Sequence, residues 1–226
     1  FPLQFLCDYT TAALGTEIGN MMEYRHLIGN PKYKKDWGIS LGNEIGCLTQ
    51  GIPGRVKGTY IIHFIHKNQL PIPTDRWEDV SYGRICCNYR VQKEEKSRTR
   101  LTVGGDRINY AGDCGTPTAD LITVKLLLNS VISTPHAKFM GIDIKSFYLT
   151  APLDRYEYMK MPLSIFPEHT KADYNMEANA IDGFVFVEIR RAIYGLPQGG
   201  ILANKLLRKR LAPEGYYEVA HTPGLW

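Results

Sequence analysis

The sequence predicts an α+β fold, antiparallel strands backed by helices, on three observations. Two runs within residues 84–103 alternate apolar and polar positions on either side of a charged stretch, the pattern of a half-buried hairpin. Leu121, Val124, Leu128 and Val131 recur at helical spacing. Phe184 to Ile189 is a short run dense in β-branched and aromatic residues.

Taken in chain order, residues 1–54 mix Gly, Asn, Tyr and charges without sustained period, and only Trp37 to Leu48 has helical character. Tyr60 to Ile65 reads as a strand, ended by the cluster Pro71, Pro73 and Asp75. In the first hairpin run Ile85, Cys87, Tyr89 and Val91 share one side and Arg84, Cys86, Asn88 and Arg90 the other. In the second, Leu101 and Val103 oppose Arg98, Arg100 and Thr102, with Gln92 to Ser97 as the tip. Gly104, Gly105 and Gly112 mark a loop. Thr118 precedes the Leu121 helix, and Asp120 stands where the helix dipole favours a negative charge. Lys138 to Ile144 reads as a strand with Met140, Ile142 and Ile144 on one face and Gly141 and Asp143 on the other. Ile201 to Leu211 reads as a basic amphipathic helix, with Leu202, Leu206, Leu207 and Leu211 as its apolar stripe.

Composition narrows the function. The 226 residues are 44% hydrophobic and 11% aromatic, enough for a real core. The formal charge is +4, from 27 basic and 23 acidic residues. Between Arg84 and Arg107 lie seven basic residues and three acidic ones, so the rest of the chain balances at 20 and 20, and a polyanion would be met by this segment. Its nucleic-acid-facing candidates are Arg90, Lys93, Lys96 and Arg98. Cys7, Cys47, Cys86, Cys87 and Cys114 are odd in number without a repeating spacing and read as reduced thiols of an intracellular protein. No run approaches the roughly 20 apolar residues of a membrane span, and no membrane partner is expected. The opening Phe1 to Leu6 lacks both a Met and a basic signal start, so the chain is expected to be a fragment.

Two stretches carry chemistry. Asp143 sits in a strand between Ile142 and Ile144, so its carboxylate must be solvated, ion-paired with a neighbouring lysine, or bound to a cation. Tyr194-Gly195-Leu196-Pro197-Gln198-Gly199-Gly200 reads either as a plain turn into the next helix or as an exposed amide, Gln198, beside backbone bare enough for a planar ring. No phosphate-loop, dinucleotide or His-Glu-x-x-His motif competes, His63 and His66 lack a third ligand, and adjacent Cys86 and Cys87 fit no zinc spacing.

Together Gly141-Ile142-Asp143-Ile144-Lys145-Ser146-Phe147-Tyr148-Leu149 and the later Tyr194-Gly195-Leu196-Pro197-Gln198-Gly199 resemble the first two active-site blocks of a Ty1/copia-type retrotransposon reverse transcriptase. Arg98-Thr99-Arg100-Leu101-Thr102-Val103-Gly104-Gly105 is similar to that family's fingers block, and Thr116-Pro117 to the motif before its helix. The likeness covers about Tyr82 to Trp226, and Trp37 to Leu48 matches the position of the family's opening helix.

The resemblance implies part of a polymerase right hand: fingers over 55–117 and an incomplete palm over 118–226, with Lys138 to Ile144 as a core palm strand. It implies an RNA-directed DNA polymerase extending a primer on an RNA or DNA template from deoxynucleoside triphosphates by two-magnesium transfer. Asp143 would be catalytic and hold Mg2+ with the Ile144 carbonyl; Arg100, Tyr148, Gln198 and Gly199 would bind the nucleotide. The parent would be a retroelement polyprotein acting in a cytoplasmic virus-like particle or the nucleus. Relatives carry a Tyr-x-Asp-Asp hairpin after a segment like His221 to Trp226, where this chain stops, so the fragment alone is expected to be inactive. A non-catalytic nucleic-acid-binding relic, and an unrelated α+β enzyme using Asp143 with magnesium, are the other classes open.

Overall fold

The predicted hairpin organises the fold. In the computed structural model, which describes residues 12–14 and 21–226 except 70, 117 and 140–143, strands run over Ser81–Tyr89 and Ser97–Val103 and pair antiparallel from Gly83 opposite Val103 to Tyr89 opposite Ser97. The elements in chain order are β1 (Ala12–Leu14), β2 (Met21–Glu23), α1 (Tyr24–Gly29), α2 (Pro31–Leu48), β3 (Gly51–Ile52), β4 (Val56–Lys57), β5 (Ile62–Phe64), β6 (Ser81–Tyr89), β7 (Ser97–Val103), α3 (Leu121–Ser133), β8 (Pro152–Pro162), α4 (Glu168–Asp173), α5 (Met176–Asn179), β9 (Phe184–Arg191) and α6 (Gly199–Leu211). The mixed α+β class is as expected.

Five strands make one sheet in the order β5-β9-β8-β6-β7, joining strands from both sides of residue 117. All neighbours are antiparallel except β6 and β8, which run parallel through Ser81 opposite Met159 and Tyr82 opposite Lys160. β8 was not among the expected strands. Charged and aromatic residues interrupt its apolar positions, yet Met159 and Met161 alternate with Tyr158 and Lys160 as a two-sided strand requires.

β7 is an edge strand, and its backbone would be open to pairing with another chain. Helix α2 closes it. Ser40 Oγ accepts the Thr99 N–H at 2.9 Å, and Glu44 Oε1 accepts the Leu101 N–H at 3.2 Å. Four helical residues rise about 6 Å and two strand residues about 6.8 Å, so side chains four apart on α2 match amides two apart on β7. Asn30 caps α2 by accepting the Lys32 N–H at 3.0 Å, and Pro31 occupies its first turn.

The main core sits where Trp37, Leu41, Ile45 and Leu48 of α2 meet the face of the sheet carrying Leu101, Met159, Met161, Val187 and Ile189. Each such side chain, once buried, contributes about 1.5–3 kcal/mol. A smaller cluster of Ile65, Ile72, Val80, Tyr158 and Phe186 covers the opposite face. Among the described residues no helix is long and apolar enough to cross a membrane.

Three of the expected elements differ from the expectation in detail. Helix α3 forms, with Asp120 Oδ1 accepting the Thr123 N–H at 2.6 Å, but none of its side chains is buried; α2 backs the sheet instead, packing along β7. Helical spacing of apolar residues specifies a face, not the surface that covers it. The predicted leucine stripe of α6 is half-buried, with Leu202 and Leu206 packed against the main core, while the most deeply buried residues of the helix are Gly199, Ile201, Ala203 and Asn204. Of the expected strand Lys138 to Ile144, residues 138, 139 and 144 are not in a strand, and Met140, Gly141, Ile142 and Asp143 lie outside the described residues.

Candidate functional site

A cleft of about 750 Å3 opens beside the β7 edge, bounded by Asn43, Glu44 and Cys47 of α2, Arg98 and Arg100 of β7, residues 144–149, Tyr194 and Leu207. Its position follows from the strand order: Arg98 and Arg100 alternate with the buried Thr99 and Leu101, so the arginines leave the core face.

The cleft contains a stack. The Arg100 guanidinium lies over the Tyr194 ring at 5.5 Å, Tyr194 meets Tyr148 at 5.8 Å between centroids, and Tyr148 meets Phe147 edge-on at 5.6 Å. A guanidinium within about 6 Å of an aromatic face is attracted to it and loses little freedom when it grips an anion. Among the described residues, Arg98, Arg100 and Lys145 supply three positive groups against one carboxyl, Glu44. Burial, the larger effect, raises the Glu44 pKa; the Arg98 guanidinium at 3.5 Å and the Leu101 N–H oppose it without overcoming it. The electrostatics of the cleft therefore favour an anion, and its rings offer flat apolar faces.

Arg100, Tyr148 and Ile144, to which the resemblance assigns nucleotide and metal roles, line this cleft together. Asp143 lies outside the described residues. Gln198 does not present an exposed amide: it is 1% exposed, with its Nε2 donating to Glu157 Oε1 at 3.0 Å. Gly199, also buried, begins α6. The turn folds inward because its backbone docks on β7. The Val103 N–H donates to Tyr194 O at 2.8 Å, and Gly195, at φ +94°, abuts the Val103 carbonyl so closely that any side chain would collide with it.

At the hairpin tip Lys93 and Lys96 are exposed. Arg90 and Arg98 share Glu95, at 3.0 and 3.6 Å, so part of the basic excess is neutralised locally. Cys47, Cys86, Cys87 and Cys114 are free thiols, and burial raises Cys47 and pushes Cys87 up to about 12, so neither of these two is a nucleophile near neutral pH.

Among the described residues no group of three or more His, Cys, Asp or Glu converges on a metal position. Glu44, the carboxylate of the cleft, is committed to the Leu101 N–H and Arg98. The described residues thus do not by themselves fit the two magnesium ions that the resemblance implies, which need several free carboxylate oxygens.

Sequence reasoning assigned no role to Tyr194, Glu44 or Glu157. The signal for Glu157 is its place on the same face of β8 as Met159 and Met161, a carboxylate in an apolar row. No family model, no curated protein and no solved structure matches the chain.

Proposed function

We propose that the cleft binds a deoxynucleoside triphosphate beside a hairpin that holds a nucleic-acid backbone, as part of the fingers and palm of a copia-type reverse transcriptase. One observation carries the reading: Arg100 and Tyr148, distant in sequence and assigned to the nucleotide by the resemblance, share one cleft and are bridged by the Tyr194 ring. In this reading Arg100 grips the triphosphate with two parallel N–H bonds, Lys145 and Arg98 add charge, and the Tyr148 ring supports the sugar. Magnesium would rest on Asp143 with carboxylates that the described residues do not supply.

The test is calorimetric titration of the chain with dATP and with deoxyadenosine. Binding of dATP that weakens by about tenfold or more in Arg100→Gln, with no binding of deoxyadenosine, supports the reading; equal affinity in wild type and variant sinks it. Template-directed extension by the chain alone should stay at background, and robust incorporation lost in Asp143→Asn would show that carboxylates of this chain complete a catalytic centre.

A second reading, a non-catalytic nucleic-acid-binding relic, is favoured by the exposed Lys93 and Lys96 at the tip. It requires duplex binding that is salt-sensitive, indifferent to sequence and unchanged in Asp143→Asn. Absence of primer-template binding at low salt would eliminate it.

A further inference from the structure

We infer that Glu157 is a positioning residue for the candidate nucleotide cleft and acts through Gln198, an inference that rests on the reading of the cleft given above. Glu157 lies in β8 with 0% exposure. A carboxylate so placed persists only when hydrogen-bonded and balanced by charge. Its Oε1 accepts from Gln198 Nε2 at 3.0 Å and from Arg155 Nε and Nη2 at 3.2 and 3.0 Å; its Oε2 accepts from Arg76 Nη2. Arg76 and Arg155 also face Asp79, at 3.4 and 4.0 Å, so two arginines meet two carboxylates.

The cluster occupies a notch in the sheet. β6 begins only at Ser81, opposite Met159, so β8 has no strand of β6 beside it at residues 155–157. Arg76 fills the gap, its Nη1 donating to Tyr156 O at 2.6 Å, while Arg155 Nη2 reaches Asn109 O at 2.9 Å. Those contacts close the edge of β8 without help from Gln198.

The Gln198 contact does something different. Glu157 already takes four donor N–H groups on its two oxygens, the amide of Gln198 turns its NH2 inward as one of them, and Gln198 Oε1 is then left buried with no hydrogen-bond partner among the described residues. That arrangement is costly, and what it secures is the turn. Residues 194–198 are held at one end by the Val103 N–H on Tyr194 O and at the other by Glu157 on Gln198. The Tyr194 ring, which meets both Arg100 and Tyr148, hangs from this double-anchored turn. Glu157 thereby sets the place of a ring it does not touch.

The test uses the full chain, dATP as probe, and hydrogen exchange of the Leu196 and Gly199 amides. Glu157→Gln leaves Gln198 itself unchanged, so a direct contact between Gln198 and nucleotide predicts no effect, whereas positioning predicts a Kd raised by about tenfold or more. The double exchange Glu157→Gln with Gln198→Glu keeps one amide and one carboxylate in the pair and should recover affinity to within about threefold of wild type. A glutamate touching the triphosphate would repel it. If Glu157→Gln does not fold, Gln198→Met decides: it is close in size, leaves Glu157 to both arginines, and should raise Kd and speed turn exchange by about tenfold. Should wild type bind no dATP, the cleft reading fails, and turn exchange still decides the positioning: faster in Glu157→Gln and restored in the double exchange upholds it. Affinity and exchange both within about twofold of wild type in Glu157→Gln, or no recovery in the double exchange, overturns the inference.

Discussion

Replacing Gly195 by Ala tests how the turn is docked. At φ +94° an L-residue is strained, at a cost of about 1–2 kcal/mol. The added methyl is also driven into the Val103 carbonyl oxygen, a backbone atom that no rotamer change can clear. Relief requires the turn to lift away from β7, which breaks the 2.8 Å bond from the Val103 N–H to Tyr194 O and leaves a buried donor unpaired, for about 1–3 kcal/mol more. Alanine restricts the unfolded chain and returns about 0.4–1 kcal/mol, so the net expected loss is about 1–5 kcal/mol, centred near 3, a substantial share of the roughly 5–15 kcal/mol that stabilises a typical domain. Gly54 is the control: its φ is +69° with open space around it, so Gly54→Ala carries only the conformational cost less the same unfolded-chain return, about 1 kcal/mol. Urea unfolding monitored by tryptophan fluorescence measures both variants. If they lose the same stability within about 0.5 kcal/mol, the backbone docking of the turn contributes nothing and the argument for the placement of Tyr194 fails with it.

Other consequences are equally direct. Ser40→Ala removes the acceptor of the buried Thr99 N–H and should cost about 1–3 kcal/mol, whereas Ser40→Thr, which keeps a hydroxyl, should cost less; equal losses in urea unfolding would mean the edge bond is not what matters. Because burial raises the Glu44 pKa, the carboxylate's penalty is absent below its ordinary value near 4.5 and grows as pH rises through the raised value. Glu44→Gln should therefore match wild type in acid and become the more stable protein toward neutral pH, and melting curves that diverge in the opposite direction would contradict the burial argument. Replacing Lys93 and Lys96 together with Gln should reduce the slope of log K against log salt for a primer-template by about 1.4–1.8, and an unchanged slope would remove the hairpin tip from the interface.

Local pattern reached a long way in this chain. Alternation located β6 and β7 to within a few residues, because a strand half in water must alternate, and it sent Leu101 and Val103 inward and Arg98 and Arg100 outward. Asp120 marked the start of α3 through a hydrogen bond that spans three residues and needs no tertiary partner. The convergence of Arg100 with Tyr148 was legible only through resemblance, since no spacing rule connects strand β7 to residues 144–149.

What the sequence by itself determined was therefore part of the local geometry: where the hairpin β6–β7, β9 and helices α3 and α6 form, though not β8, and where charge accumulates. Tertiary structure alone decided which faces are covered. The leucines of α3 have helical spacing yet remain exposed, while Glu157, in the apolar row of β8, is buried because Arg76 and Gln198 arrive from two other parts of the chain to join Arg155 of the same strand. Gln198 illustrates the physical reason. Its amide can donate outward or inward with equal chemistry, and only the close docking of Gly195 on Val103, with a buried carboxylate within reach, turns it toward the interior.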